Sequence, residues 1–208
     1  MPHRLLAIVL LFVSAASAAA RELPADIVKL RALAVHGDVQ AQYSLGRRYE
    51  IGDGITPSRA QAINWYLKAG QHGNRSAQSR LCYLYAQPLH LFDIKDTRAK
   101  DGSITGILPA EGTKENVAEA LTWCRIGASV QDAHSSYPSW VLGILYARGG
   151  AGLKPDFEES YFWLQMAPRD EFFKAVKRKL TADRRRAVES RERDWREANP
   201  SSVTVERH

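Results

Sequence analysis

The chain has 208 residues, of which 45% are hydrophobic and 25% are charged. This composition is too apolar for a wholly disordered protein and fits one globular domain. The formal net charge is +6, and residues 169–208 carry 12 basic and 8 acidic side chains, so most of the surplus lies near the C-terminus. Two cysteines are too few for a multi-thiolate metal site or an iron–sulfur cluster.

Residues 1–20 are typical of a secretory signal peptide. Arg4 precedes an apolar run over residues 5–13, and a stretch of Ser and Ala follows. Cleavage is expected after Ala20, although a cut after Ala18 satisfies the same small-residue rule. A retained membrane anchor is the less favoured alternative, because a spanning helix needs about 20 apolar residues. The mature chain is therefore expected in an exported compartment, where disulfides persist.

A pattern of five positions occurs three times in the mature chain. A polar capping residue is followed by Glu or Gln three positions on, a small residue at four, Trp at seven and a small residue at eleven. The first two positions form a capping box, and the last three share one face of a helix. The pattern predicts three helices that each pack a tryptophan against a neighbour. The copies begin at Ser58, Asn116 and Asp156 and contain Trp65, Trp123 and Trp163.

A second pattern precedes each of these helices. It consists of Leu, a small residue, Tyr and a helix-ending residue, and its copies begin at Leu45, Leu81 and Leu142. It predicts a shorter helix before each Trp helix, so each unit is a helical hairpin. Residues 24–36 are predicted to be a single capping helix that ends at Gly37. The predicted fold class is all-α, an α-solenoid of about three hairpins over residues 21–168.

The first unit reads Ala-Gln-Tyr-Ser-Leu-Gly-x-x-Tyr-x-x-Gly-x-Gly from residue 41, followed by Ala-x-x-Trp-Tyr-x-x-Ala from residue 62. This motif resembles the Sel1-like repeat (SLR) family, a branch of the tetratricopeptide-like superfamily, and the resemblance covers about residues 24–168. It implies a bacterial protein, and with the signal peptide a periplasmic or secreted one. It also implies a non-enzymatic scaffold or adaptor for protein–protein interaction.

The second unit departs from this pattern. Cys82 and Pro88 occupy two glycine positions, and an insertion at about residues 89–112 separates its two helices. The insertion is expected to be a tolerated surface loop, or alternatively to reach a binding face. Residues 169–199 are expected to form capping helices, the last exposed to solvent or alternatively docked on an anionic surface. Residues 200–208 are expected to be a disordered tail.

The two cysteines occupy corresponding places in the second hairpin. Cys82 stands where the other units have Gly46 and Gly143, and Cys124 directly follows the Trp of its unit, where the first unit has Tyr66. We favour a disulfide between them, with two buried free thiols or a catalytic thiol as the alternatives. Secreted SLR proteins cross-link their hairpins in this way, so the resemblance agrees with the disulfide.

The sequence contains none of the common catalytic motifs. His-Glu-x-x-His, Gly-x-x-x-x-Gly-Lys-Ser/Thr, Gly-x-Ser-x-Gly and Ser-x-x-Lys are absent. His36 and His72 precede glycines and are interpreted as helix-end residues and not as metal ligands. We therefore expect no catalytic site, metal or cofactor. An envelope enzyme acting on cell-wall material is the alternative function, and nucleic-acid binding is disfavoured by export and by the paired charges of the C-terminal region.

The first helix of each hairpin lines the concave face in superhelical arrays of this kind. Aromatic side chains beside arginine on such a face suit protein recognition, although each one alone can equally pack between repeats. We expect an envelope protein or peptide as partner and a chain that is monomeric alone. The candidate partner-binding residues, which lie off the packing stripe, are Tyr43, Arg47, Glu50, Ser79, Tyr83, Trp140 and Ile144.

Overall fold

The computed structural model describes residues 24–89, 97–98, 104–106, 114–129, 134–167 and 170–199. The expected signal peptide, the expected tail and most of the insertion lie outside these residues. The helices are α1 (Ala25–Val35), α2 (Val39–Ile51), α3 (Arg59–Gln71), α4 (Arg75–Ala86), α5 (Lys114–Ala128), α6 (Ser136–Arg148), α7 (Phe157–Leu164), α8 (Glu171–Arg178) and α9 (Ala182–Ala198). A short 3₁₀ helix (Gln87–Leu89) follows α4.

These helices pack as successive hairpins. The pairs α2–α3, α4–α5 and α6–α7 form the three predicted units, and α1 packs against α2 at the N-terminal end. Helix α3 contacts α4, and α5 contacts α6, so each unit packs on the next. The prediction of an all-α solenoid with an N-terminal single helix and C-terminal helices is confirmed.

Part of the insertion is described as two short strands. Strand β1 (Thr97–Arg98) pairs antiparallel with β2 (Ile104–Gly106), and the pairing is irregular between Thr97 and Arg98. The backbone of β2 lies close to α8. A described part of the insertion therefore lies close to the C-terminal helices.

Side-chain caps fix where most of the helices begin. Asp38 accepts a hydrogen bond from the backbone N–H of Ala41 at 2.6 Å, and Asp156 accepts one from that of Glu159 at 2.9 Å. Such caps satisfy amide groups that have no partner within the helix. The predicted cap at Asn116 is wrong, because α5 already begins at Lys114 and Asn116 lies within its first turn.

A repeated side-chain hydrogen bond joins consecutive units. The side-chain amide of Gln42 on α2 donates to the carbonyl of Ala34 on α1 at 3.2 Å, and Gln78 on α4 donates to the carbonyl of Gly70 on α3 at 3.0 Å. Both glutamines are buried. A buried amide needs such a partner, so these bonds help to fix the stacking of each first helix on the preceding unit.

The two helices of each hairpin approach closely at one small residue. A Cβ atom on Gly46 of α2 would lie only 2.8 Å from the ring of Tyr66 on α3, and one on Gly143 of α6 would overlap Leu164 of α7. Cys82 of α4 and Cys124 of α5 meet at the corresponding place and form a disulfide, with their Cα atoms 4.7 Å apart. The favoured disulfide is confirmed, and both alternatives with free thiols are wrong.

The last helix packs one face against the third hairpin, and most of its residues are exposed to solvent, as expected for a capping helix. Val188 of α9 is buried, and the Trp195 ring lies edge-on to Phe162 and Trp163 of α7, with centroids 6.1 and 6.2 Å apart. Arg191 forms an ion pair with Glu159 at 2.7 Å. Helix α9 therefore packs on α7 of the third hairpin and adds Val188 to a hydrophobic core that begins at α3.

Candidate functional site

The first helices of the hairpins carry a connected set of polar and aromatic side chains. We call the surface formed by α2, α4 and α6, together with the start of α8, the first-helix surface. Five of the seven candidate residues belong to this set: Tyr43, Arg47, Glu50, Tyr83 and Trp140. The contacts of the set run from one helix to the next across all four helices.

Glu50 is the centre of the polar part of this surface. Its carboxylate accepts hydrogen bonds from the Tyr66 hydroxyl at 2.6 Å, from Arg47 Nη1 at 3.3 Å and from Arg80 Nε at 3.2 Å. The second carboxylate oxygen is bound by Arg80 Nη2. We call these four residues the Glu50 cluster. Because a two-point contact between guanidinium and carboxylate fixes both groups, the cluster holds α2, α3 and α4 in one arrangement.

Burial and charge determine the protonation of the cluster. Burial raises the pKa of Tyr66 above its ordinary value of 10.0, so the phenol stays protonated and donates to Glu50. Burial, and then the neighbouring charge of Arg47, lower the pKa of Arg80 from its ordinary value. In this cluster the guanidinium groups of Arg47 and Arg80 both contact the single carboxylate of Glu50.

Aromatic rings continue the surface from α4 to α8. The guanidinium carbon of Arg80 lies 4.8 Å from the Tyr83 ring centroid, within cation–π range. Tyr83 lies 5.9 Å from Tyr137, and Tyr137 lies 6.3 Å from Trp140 between centroids. The indole N–H of Trp140 donates to Asp170, the capping residue of α8, at 3.2 Å. We call Tyr83, Tyr137 and Trp140 the aromatic row.

Two candidate residues stand apart from these contacts. Ser79 on α4 is half-buried beside Arg80. Ile144 on α6 is 3% exposed, so the expectation that it lies on an accessible surface is wrong. Helix α6 packs against α4, α5 and α7, and residues 141–148 are all buried, which leaves no open face around Ile144.

Three residues of the surface were not among the candidates: Arg80, Tyr137 and Asp170. The candidates occupy equivalent positions of the repeat, whereas Arg80 corresponds to Ser44 of the first unit and Tyr137 to Ser76 of the second. A long side chain reaches the neighbouring helix from a position that a short one cannot use. The sequence does contain a signal for Arg80 and Tyr137. Each is a long side chain at a repeat position where another unit has a short polar one.

An open cleft lies beside the Glu50 cluster, between α1 and α2. Tyr43 and Arg47 line it together with three charged residues of the N-terminal unit. In this cleft Arg48 forms ion pairs with Asp26 at 3.3 Å and with Asp53 at 2.6 Å. Two carboxylates share one guanidinium here, which is the reverse of the arrangement around Glu50.

Within the described ranges, no group of three or more His, Cys, Asp or Glu residues is placed to hold a metal ion. Across the same residues, none of the helices has both the length and the apolar character needed to cross a membrane.

Stacked helical hairpins with an aromatic and charged surface on their first helices define an α-solenoid repeat protein. The family model described as Sel1 repeat matches residues 39–74 and 140–167, which are the first unit and most of the third. Residues 39–74 and 140–167 are therefore Sel1 repeats. Sel1 repeats generally mediate protein–protein interaction, and proteins that contain them are generally non-enzymatic scaffolds.

Solved structures that resemble this chain include two that are described as a Sel1 repeat protein and an SLR fold. A Sel1 repeat protein from Oxalobacter formigenes is 22% identical, with 79% of this chain and 98% of that protein covered and a TM-score of 0.42. A protective antigen of uropathogenic Escherichia coli strains that displays an SLR fold is 21% identical, with 82% of this chain covered and a TM-score of 0.38. The match covers 40% of that antigen, so this chain corresponds to less than half of its length. No curated protein matches the chain significantly.

Proposed function

We propose that this protein is a non-enzymatic scaffold or adaptor that binds a segment of another protein on its first-helix surface. The observation that carries the proposal is the continuity of the surface, from the Glu50 cluster through the aromatic row to Asp170. Rigid aromatic rings provide contact area at a low entropic cost, and arginine adds directional hydrogen bonds. The role of these residues in binding is a prediction.

The proposal extends to the compartment. The expected signal peptide makes an envelope protein or peptide, in the periplasm or outside the cell, the partner that we propose. Mass spectrometry of the chain recovered from the exported fraction tests this part. A chain that begins at Arg21 or Ala19 supports it, and a chain that retains residues 1–18 contradicts it.

The test of binding uses a double variant of the aromatic row. Tagged wild-type chain, Tyr83→Ala/Trp140→Ala and the control Ile126→Ala are used to capture proteins from the envelope fraction. Ile126 is an exposed apolar residue on α5, a second helix, so its loss leaves the first-helix surface intact. We expect one protein to be captured by wild type and by the control and to be lost with the double variant, while circular dichroism shows unchanged helix content. Equal capture by all three chains would contradict the proposed surface.

A further inference from the structure

The Glu50 cluster presents positive charge to the solvent. Arg47 and Arg80 share the carboxylate of Glu50, and Arg80 occupies both of its oxygens. The Arg47 and Arg80 side chains are 38% and 31% exposed, whereas that of Glu50 is 14% exposed. The accessible part of the cluster therefore consists of guanidinium groups, and an approaching group meets hydrogen-bond donors first.

The geometry of Arg47 leaves it able to bind a second anion. It donates to a single oxygen of Glu50 at 3.3 Å, and a guanidinium group has five N–H donors. Arginine is well suited to carboxylates at protein interfaces, because its planar fork matches their two oxygens and it is weakly hydrated. A carboxylate seated on Arg47 and Arg80 would balance the unpaired positive charge of the cluster.

The aromatic row begins directly beside this positive charge. Steps of 4.8, 5.9 and 6.3 Å lead from the Arg80 guanidinium carbon through Tyr83 and Tyr137 to Trp140. Since an extended chain advances about 3.3 Å per residue, a peptide needs roughly three to five residues to span this distance. One segment can thus place one residue on the Glu50 cluster and another on the aromatic row.

We propose that the first-helix surface binds an extended acidic segment of a protein partner. A Glu or Asp carboxylate of the segment contacts Arg47 and Arg80, and an apolar or aromatic side chain roughly three to five residues away packs on the aromatic row. This inference rests on the proposed function and gives its partner a chemical class. No acidic residue of the segment is expected at Arg48, because its guanidinium group is already shared by Asp26 and Asp53.

Selection of peptides tests this chemistry without knowledge of the partner. A phage library of random twelve-residue peptides is selected on the mature chain. The selected peptides should be enriched in Glu or Asp followed or preceded by an apolar or aromatic residue at the stated spacing. In the best binder, Glu→Gln or Asp→Asn should weaken binding by about fivefold to tenfold in fluorescence anisotropy at physiological ionic strength.

Neighbouring arginines provide matched variants of the protein. Arg47→Gln should remove the discrimination between the acidic peptide and its amide version. Arg48→Gln is the control, since Arg48 is 32% exposed, lies next in sequence and is already paired with Asp26 and Asp53. The Arg48→Gln variant should still bind the acidic peptide more tightly than its amide version. Urea unfolding of each variant verifies that the fold is retained, and Arg80→Gln serves as a second test of the same cluster.

The outcomes separate this inference from the function on which it rests. Selected peptides without acidic enrichment, or discrimination that survives in both Arg47→Gln and Arg80→Gln, would overturn the acidic specificity. If such peptides still lose binding with Tyr83→Ala/Trp140→Ala, the protein-binding function stands. Failure to select any peptide would overturn the extended-segment mode, while capture from the envelope fraction still decides the function itself.

Discussion

Removal of the disulfide should cause a large loss of stability. We predict that Cys82→Ala/Cys124→Ala lowers the free energy of unfolding by about 3–4 kcal/mol. The bond joins residues 42 positions apart and closes a loop of sequence that contains the insertion, so its loss frees a long loop in the unfolded chain. The chain-entropy relation gives about 4 kcal/mol at 25 °C for such a loop. Both cysteines are fully buried, and the lost sulfur contacts act in the same direction.

Urea unfolding followed by far-ultraviolet circular dichroism measures this effect. The oxidised wild type and the double variant are each unfolded with and without a reducing agent. We expect the reducing agent to bring the wild type to the level of the variant and to leave the variant unchanged. The unfolding midpoint should fall by at least about 1 M urea, given the usual dependence of stability on urea for small proteins.

Two results would refute this reasoning. A loss below about 1 kcal/mol would mean that closing the loop restricts the unfolded chain far less than the entropy relation requires. Equal sensitivity of the variant and the wild type to the reducing agent would mean that its effect does not pass through this bond. Coincident transitions by fluorescence and circular dichroism are needed for either conclusion, because a repeat protein can unfold in parts.

Three further predictions concern the first unit. Gly46→Ala should cost roughly 1–3 kcal/mol in urea unfolding, because its Cβ would lie 2.8 Å from the ring of Tyr66; a loss below about 0.5 kcal/mol would contradict this close approach. Glu50→Gln should cost about 1–3 kcal/mol in the same assay, because Arg47 and Arg80 lose the charge that they share, and an unchanged midpoint would show that the cluster adds no stability. Stability should fall as the pH rises above about 10, because burial raises the pKa of Tyr66 and the folded protein keeps a proton that the unfolded chain releases. This fall, measured by urea unfolding between about pH 9 and 11, should be shallower in Tyr66→Phe, and an identical slope would contradict the assignment to Tyr66.

The contacts within each hairpin could be predicted from the sequence. A small residue on the first helix and a variable residue after each Trp occupy the same two places in every unit. The exchange of Gly46 and Tyr66 for Cys82 and Cys124 indicated that these places touch, and the structure shows both contacts. The repeat period is enough to predict these contacts, because the helices approach each other closely there and the repeat fixes the positions of their backbones.

The surface residues were harder to predict, because the repeat does not fix what long side chains reach. Arg80 extends to Glu50 on the preceding first helix, although its repeat position holds Ser44 in the first unit. Ile144 occupies the same repeat position as Arg47 and yet is buried, because the third first helix is enclosed by its neighbours. The exposure of a repeat position therefore depends on elements outside the repeat, and a single unit does not contain that information.

The different close contacts of the three hairpins also affect how the chain can misfold. Units of similar sequence in one chain are prone to exchange partners during folding. If the second helix of the first unit paired with the first helix of the second unit, Tyr66 would meet Cys82, where glycine is needed to make room for the ring. The opposite exchange would set Gly46 against Cys124 and leave a void. The first helices of the first two units thus accept their own second helices best, and these two neighbouring units discriminate against swapped hairpins in a way that identical repeats could not.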